Sequence, residues 1–112
     1  MRREGGELMA EKKLILCVCG GGINTSLNAK NKIKEFLESE GIRDIDVVHA
    51  MIGDIGPYNG RKNMVVVWMT QINPNFNAPG VQGMSFVIGS KKAKLQLCEQ
   101  ILEKMNEIYD PN

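Results

Sequence analysis

The sequence predicts an α/β fold, a parallel sheet flanked by helices in a Rossmann-like arrangement, and three observations support it. Two runs of strand length, residues 14–18 (Leu-Ile-Leu-Cys-Val) and 64–69 (Met-Val-Val-Val-Trp-Met), are apolar throughout, as strands covered on both faces are. A stretch of helical periodicity follows the first run, and another closes the chain. Strands that alternate with crossovers form parallel sheets, with right-handed connections.

The first strand follows Lys12 and Lys13 and ends abruptly in Cys19-Gly20-Gly21-Gly22. Thr25 or Ser26 offers an N-cap for the next helix. Leu27, Ala29, Ile33, Phe36 and Leu37 lie on one stripe of that helix, with Lys30, Lys32, Lys34, Glu35 and Glu38 on the other side. Gly41 stops it. Residues 44–51 make the second strand, alternating at its start. Residues 53–60 contain Gly53, Gly56, Pro57 and Gly60 and leave room for no more than a short helical turn. After the third strand, residues 73–83 hold Pro74, Pro79, Gly80 and Gly83, and a long loop is expected there. The fourth strand is expected at 84–88. Ser90 caps the last helix, whose buried side is Ala93, Leu97, Ile101, Leu102, Met105 and Ile108. Neither an internal repeat nor a low-complexity tract interrupts this order.

With 112 residues, 43% hydrophobic and 24% charged, the chain has the size and composition of one globular domain, expected over 12–112. Residues 1–11 read as a flexible polar tail, with Met9 an alternative start. No apolar run nears the roughly 20 residues that a spanning helix needs, and the opening residues lack the apolar core of a secretory signal. A cytoplasmic location is therefore expected. A net charge of +1 leaves no footprint for nucleic acid. The three cysteines, Cys17, Cys19 and Cys98, cannot all pair, and a cytosolic setting keeps them as thiols.

The segment from Cys19 to Ser26 carries the chemistry. A cysteine at the end of a strand, three glycines and the first turn of a helix make a nest of backbone N–H groups. Unpaired amides and the helix dipole favour an anion there, and the same field favours a thiolate. The phosphate cradle is then Gly20, Gly21, Gly22, Ile23, Asn24, Thr25 and Ser26, with the two hydroxyls adding hydrogen bonds to a tetrahedral dianion. Other loop chemistries each lack one required residue. A tyrosine-phosphatase loop needs an arginine six positions after the cysteine, where Thr25 stands. A nucleotide P-loop needs a lysine before its hydroxyl residue, where Asn24 stands. A dinucleotide fingerprint needs a third glycine at the position of Thr25.

The pattern Cys-x-x-Gly-x-x-Thr-Ser over 19–26, between a buried strand and a helix, resembles the active-site loop of IIB components of the bacterial phosphoenolpyruvate-dependent sugar phosphotransferase system. Within that family the galactitol-type proteins are the most similar group. Their first strand, Cys-Gly-Gly and Thr-Ser are mirrored here, and Val81 to Gly89 (Val-Gln-Gly-Met-Ser-Phe-Val-Ile-Gly) resembles their Gly-Met-x-Phe-Val-x-Gly run. The likeness covers residues 12–105. It implies a four-stranded parallel sheet in the order 2-1-3-4. It also implies that Cys19 is the nucleophile, taking a phosphoryl group from a phosphohistidine on a IIA partner. A sugar or sugar alcohol bound in a membrane IIC partner then takes that group from Cys19. No cofactor or metal is expected, and the domain is expected to be a monomer outside the complex, meeting the inner face of the membrane through IIC. Two other readings stand beside this one: a small cysteine phosphatase or thiol reductase, and a non-catalytic anion-binding regulatory module.

Other conspicuous residues have plainer explanations. Cys17 is expected in the core, pointing away from Cys19, and Cys98 on the apolar stripe of the last helix. His49, the single histidine, reads as strand packing rather than as a general base. Asp54 caps a turn, Lys91 and Lys92 form a solvated face, and Trp68 and Phe86 are core.

Overall fold

In a computed structural model, which describes residues 12–20, 23–72 and 75–110, the first apolar run becomes β1 (Lys13–Cys19). There follow α1 (Ile23–Ser39), β2 (Ile45–Met51), two 3₁₀ turns (Ile52–Asp54 and Gly56–Tyr58), β3 (Met64–Trp68), β4 (Gly80–Gln82), α2 (Ser85–Ile88) and α3 (Lys91–Ile108). The strands form one sheet in the order β2-β1-β3-β4, and every pairing is parallel. The expected sheet order therefore holds. The expected tail over residues 1–11 lies outside the described residues.

β1 is central, paired to β2 along its whole length and to β3 from Leu14 to Val18. Register places Cys17 opposite His49 and Cys19 opposite Met51. On one face Ile15, Cys17, Val47, Val65 and Val67 pack against Ala29, Ile33 and Phe36 of α1, Phe86 of α2, and Leu97, Cys98, Ile101 and Met105 of α3. The second face buries Leu14, Leu16, Val18, Met64 and Val66 under Ile55, with Ile52, Tyr58, Ile72 and Phe76 at its margin. Helices thus cover the first face, and 3₁₀ turns with the segment after β3 cover the second. Glycine and proline between β2 and β3 leave too little unbroken chain for a helix there.

α1 ends as its glycine predicts. Gly41 takes φ +71, and the Ile42 N–H reaches the Leu37 carbonyl at 2.9 Å, the 6→1 bond of a left-handed helix stop. Ser90 caps α3 by accepting from the Ala93 N–H at 3.2 Å.

Three local expectations fail. The fourth strand is not 84–88: the edge strand is Gly80–Gln82, inside the expected loop, and 85–88 form the helical turn α2. Backbone pairing decides this, since Val66 to Trp68 take Gly80 to Gln82 as partners and the Gly83 N–H caps the ladder on the Trp68 carbonyl. Gly83 is required at that step, because a Cβ there would stand 2.6 Å from Val67 Cγ1. Thr25 and Ser26 are not N-caps either. The helix already begins at Ile23, so both hydroxyls belong to its first turn. Cys17 does not point away from Cys19: residues two apart on a strand share a face, and both thiols lie on the helix-covered side.

Candidate functional site

Cys19 is the last residue of β1, where the chain leaves the sheet for α1. It is only 2% exposed, yet its neighbours are polar and polarisable rather than purely aliphatic. Its Sγ donates to Ser26 Oγ at 3.1 Å, and Met51 Sδ, across the β1–β2 pairing, lies 3.8 Å away. Ser26 is fully buried. Its position in the first turn of α1, beside the end of β1, brings the helix N-terminus to the sulfur. That turn carries no acidic side chain, so nothing on it opposes an incoming anion. Among the other residues expected in the cradle, Asn24 is exposed and Thr25 half-buried on the same turn. Gly21, Gly22 and the side chain of Ile23 lie outside the described residues.

Gly20 has a specific reason to be glycine. A Cβ there would stand 2.6 Å from Thr70 Oγ1, so Thr70, just beyond β3, closes against the turn that carries the thiol. Its neighbour Met69 is tied to the same edge by its N–H, which donates to the Val18 carbonyl at 2.9 Å.

His49 also belongs to this site. Its Nδ1 lies 3.4 Å from Ser26 Oγ, which makes Cys19, Ser26 and His49 a continuous chain of polar atoms across β1, α1 and β2. His49, Met51 and Thr70 were not legible as site residues from motif spacing. Aligning the carboxyl ends of parallel strands supplies the missing signal, because it sets Met51 beside Cys19 and gives His49 the same face.

The other two thiols are held in the core. Burial pushes Cys17 from 9.0 up to about 12, partly opposed by the Lys30 charge and slightly reinforced by Cys98 and Cys19. Cys98 is raised to about 11, by burial first and by Glu99 second, with Lys32 acting the other way. Both therefore match their expected core role. Phe86 is buried as expected, though on α2, and Trp68 is half-buried at the end of β3. Among the described residues no helix is long and apolar enough to cross a membrane.

Comparison with known proteins agrees with this fold. Residues 14–95 match the family described as the lactose/cellobiose-specific IIB subunit of the PTS system. Among solved structures, the fold is similar to the lactose-specific IIB component domain of the phosphoenolpyruvate:carbohydrate phosphotransferase system from Streptococcus pneumoniae. The TM-score is 0.59 and the identity 14%, over 89% of this chain and 100% of that one. At that identity the likeness is one of fold. No curated protein matches. The galactitol-type subgroup suggested by the two sequence motifs is not the one matched, and the description found names lactose and cellobiose instead.

Proposed function

The chain belongs to the lactose/cellobiose-specific IIB subunit family of the phosphotransferase system, and on that premise we propose that it carries a phosphoryl group on the sulfur of Cys19. A phosphohistidine on a IIA partner donates the group, and a sugar held in a membrane IIC partner receives it. The domain works on the cytoplasmic side, between these two partners.

The observation that carries this reading is the Cys19 Sγ–H donating to Ser26 Oγ at 3.1 Å in the first turn of α1. Phosphoryl transfer passes through a loose transition state with in-line geometry and charge spread over the equatorial oxygens. Donors already in place stabilise that charge without reorganisation, and the first turn of a helix has four N–H groups without intrahelical partners. The sulfur is covered in this arrangement, so the partner reaches it as the Cys19 side chain turns out of its contact with Ser26. Thr25 occupies the position where a phosphatase arginine would stand, which favours a carrier that keeps its phosphocysteine until an acceptor docks.

The test is intact-protein mass after incubation with phosphoenolpyruvate, the two general phosphotransferase proteins and a IIA protein. Wild type is expected to gain one phosphoryl group that maps to Cys19, and Cys19→Ser to gain none on a cysteine. A folded wild type that gains nothing from any of several IIA proteins overturns the reading and favours an anion-binding module.

A further inference from the structure

A cavity on the second face of the sheet combines an aromatic wall with unused hydrogen-bonding groups. It lies beside the carboxyl half of β3 and holds about 280 Å³, and Trp68, Ile72 and Phe76 line it together with Gln71, Ala78 and Gly80. That volume is near the roughly 300 Å³ at which ligand clefts begin, and such clefts are mostly apolar with a few placed polar groups. Trp68 and Phe76 are half-buried, so their rings are not used up by the core. Gly80 keeps the N–H edge of the indole open, because a Cβ there would stand 3.1 Å from Trp68 Cδ1 and 3.3 Å from Nε1. Among the described residues, neither the Trp68 indole N–H nor the Gln71 carboxamide bonds to another residue.

The chemistry of these walls narrows the occupant. It must pack C–H groups on an aromatic ring and still offer hydroxyls or carbonyls to an N–H and a carboxamide. A pyranose does both, since its faces carry C–H groups and its rim carries hydroxyls. Tryptophan suits it, being a large apolar body with one polar edge. No charged side chain is among the residues that line the cavity, so a phosphate on the ligand would lose hydration there without gaining a partner. The neutral ring is favoured over its phosphorylated form.

The cavity is also tied to the thiol loop. Trp68 is the register partner of Val18, the residue before Cys19. Thr70, next to Gln71, closes against Gly20, where a Cβ would stand 2.6 Å from the threonine hydroxyl oxygen. A ring seated against Trp68 and Gln71 is therefore held on the strand beside the one that carries the sulfur.

We propose that the Trp68–Gln71–Phe76 cavity is a subsite for a neutral sugar ring, contacting the acceptor that the IIC partner presents and releasing it once it is phosphorylated. The acceptor role rests on the phosphocysteine reading above.

The chain has a single tryptophan, so its emission reads this cavity directly. Glucose, cellobiose and glucose 6-phosphate are titrated into the full chain, with glycerol as the control for solvent effects. Glucose and cellobiose are expected to shift Trp68 emission saturably, in wild type and equally in Cys19→Ser. Gln71→Ala, a change at an exposed side chain, is expected to melt like wild type and to bind about fivefold more weakly, the worth of one neutral hydrogen bond. Glucose 6-phosphate is expected to bind more weakly than glucose. A response that never saturates, or that glycerol matches, overturns the proposal. So does unchanged affinity in a folded Gln71→Ala, or glucose 6-phosphate binding at least as tightly as glucose. None of these titrations needs a phosphoryl donor, so their failure overturns the subsite alone. Absence of phosphoryl uptake in the mass measurement overturns the carrier reading and, with it, the acceptor role of the subsite.

Discussion

The middle of β1 and its carboxyl end place the same side chain on the same face of the sheet and make different groups of it. Cys17 is fully buried and Cys19 is 2% exposed, so exposure does not separate them. Their neighbours do. Cys17 shares its cluster with Ile15, Val65 and Val67, and burial there pushes it to about 12. Cys19, two residues on, has left that aliphatic layer, and its sulfur donates to Ser26 Oγ. In a parallel sheet the carboxyl ends of the strands open toward helix N-termini and loops. Position along the strand, more than which face a residue occupies, therefore decides whether a thiol sits in aliphatic packing or against polar groups.

The largest effect that tests this contrast is loss of phosphoryl acceptance. Cys19→Ala is expected to abolish it completely and Cys17→Ala to keep it, both read by intact-protein mass with phosphorylated IIA as donor. Transfer that survives in Cys19→Ala and disappears in a folded Cys17→Ala would move the chemistry into the middle of the strand and undo the comparison.

Stability should show the reverse order. Cys17→Ser puts a hydroxyl into an aliphatic layer and is expected to cost about 1–3 kcal/mol. Cys19→Ser leaves a hydroxyl beside the Ser26 oxygen and is expected to cost less than about 1 kcal/mol. In a domain of this size each kcal/mol lowers Tm by roughly 4–8 °C, so thermal unfolding of the two variants separates them. Equal losses would mean that the strand end is packed as tightly as its middle.

Much of this contrast was legible in the sequence, and the failures have physical causes. The run at 14–18 ending in Cys19-Gly20 showed both the central strand and the point where it leaves the sheet, because apolar continuity and glycine punctuation are local signals. The edge strand was misplaced because locality fails there. Gly80-Val81-Gln82 holds one apolar side chain and becomes a strand through pairing with β3. Phe86, Val87 and Ile88 look like a strand but form the turn α2, with Phe86 buried, Val87 47% exposed and Ile88 80% exposed. His49 was passed over for a related reason. Inside a strand it has no motif, and its nearness to Ser26 exists only once β2 pairs with β1 and α1 crosses them. Ser26 was expected to cap the helix, whereas in the fold it lies inside the first turn and its hydroxyl meets the sulfur.

The smallest effect tests the middle of the strand by its pH dependence. The fold raises Cys17 from 9.0 to about 12, so the folded state favours the neutral thiol and the unfolded chain ionises first. The stability this contributes is fully present below about pH 9 and is lost as pH rises toward 12. At pH 10, one unit into that window, wild type should have lost about 1.4 kcal/mol through Cys17. Cys17→Ala, though less stable at pH 8, should lose correspondingly less between pH 8 and pH 10. Cys98, raised to about 11, titrates in both proteins, as do the lysines and tyrosines, so the difference isolates Cys17. Urea midpoints at the two pH values give the result. If both proteins weaken equally from pH 8 to pH 10, the thiol in the middle of β1 is not held neutral by its surroundings, and the distinction from Cys19 rests on the Ser26 contact alone.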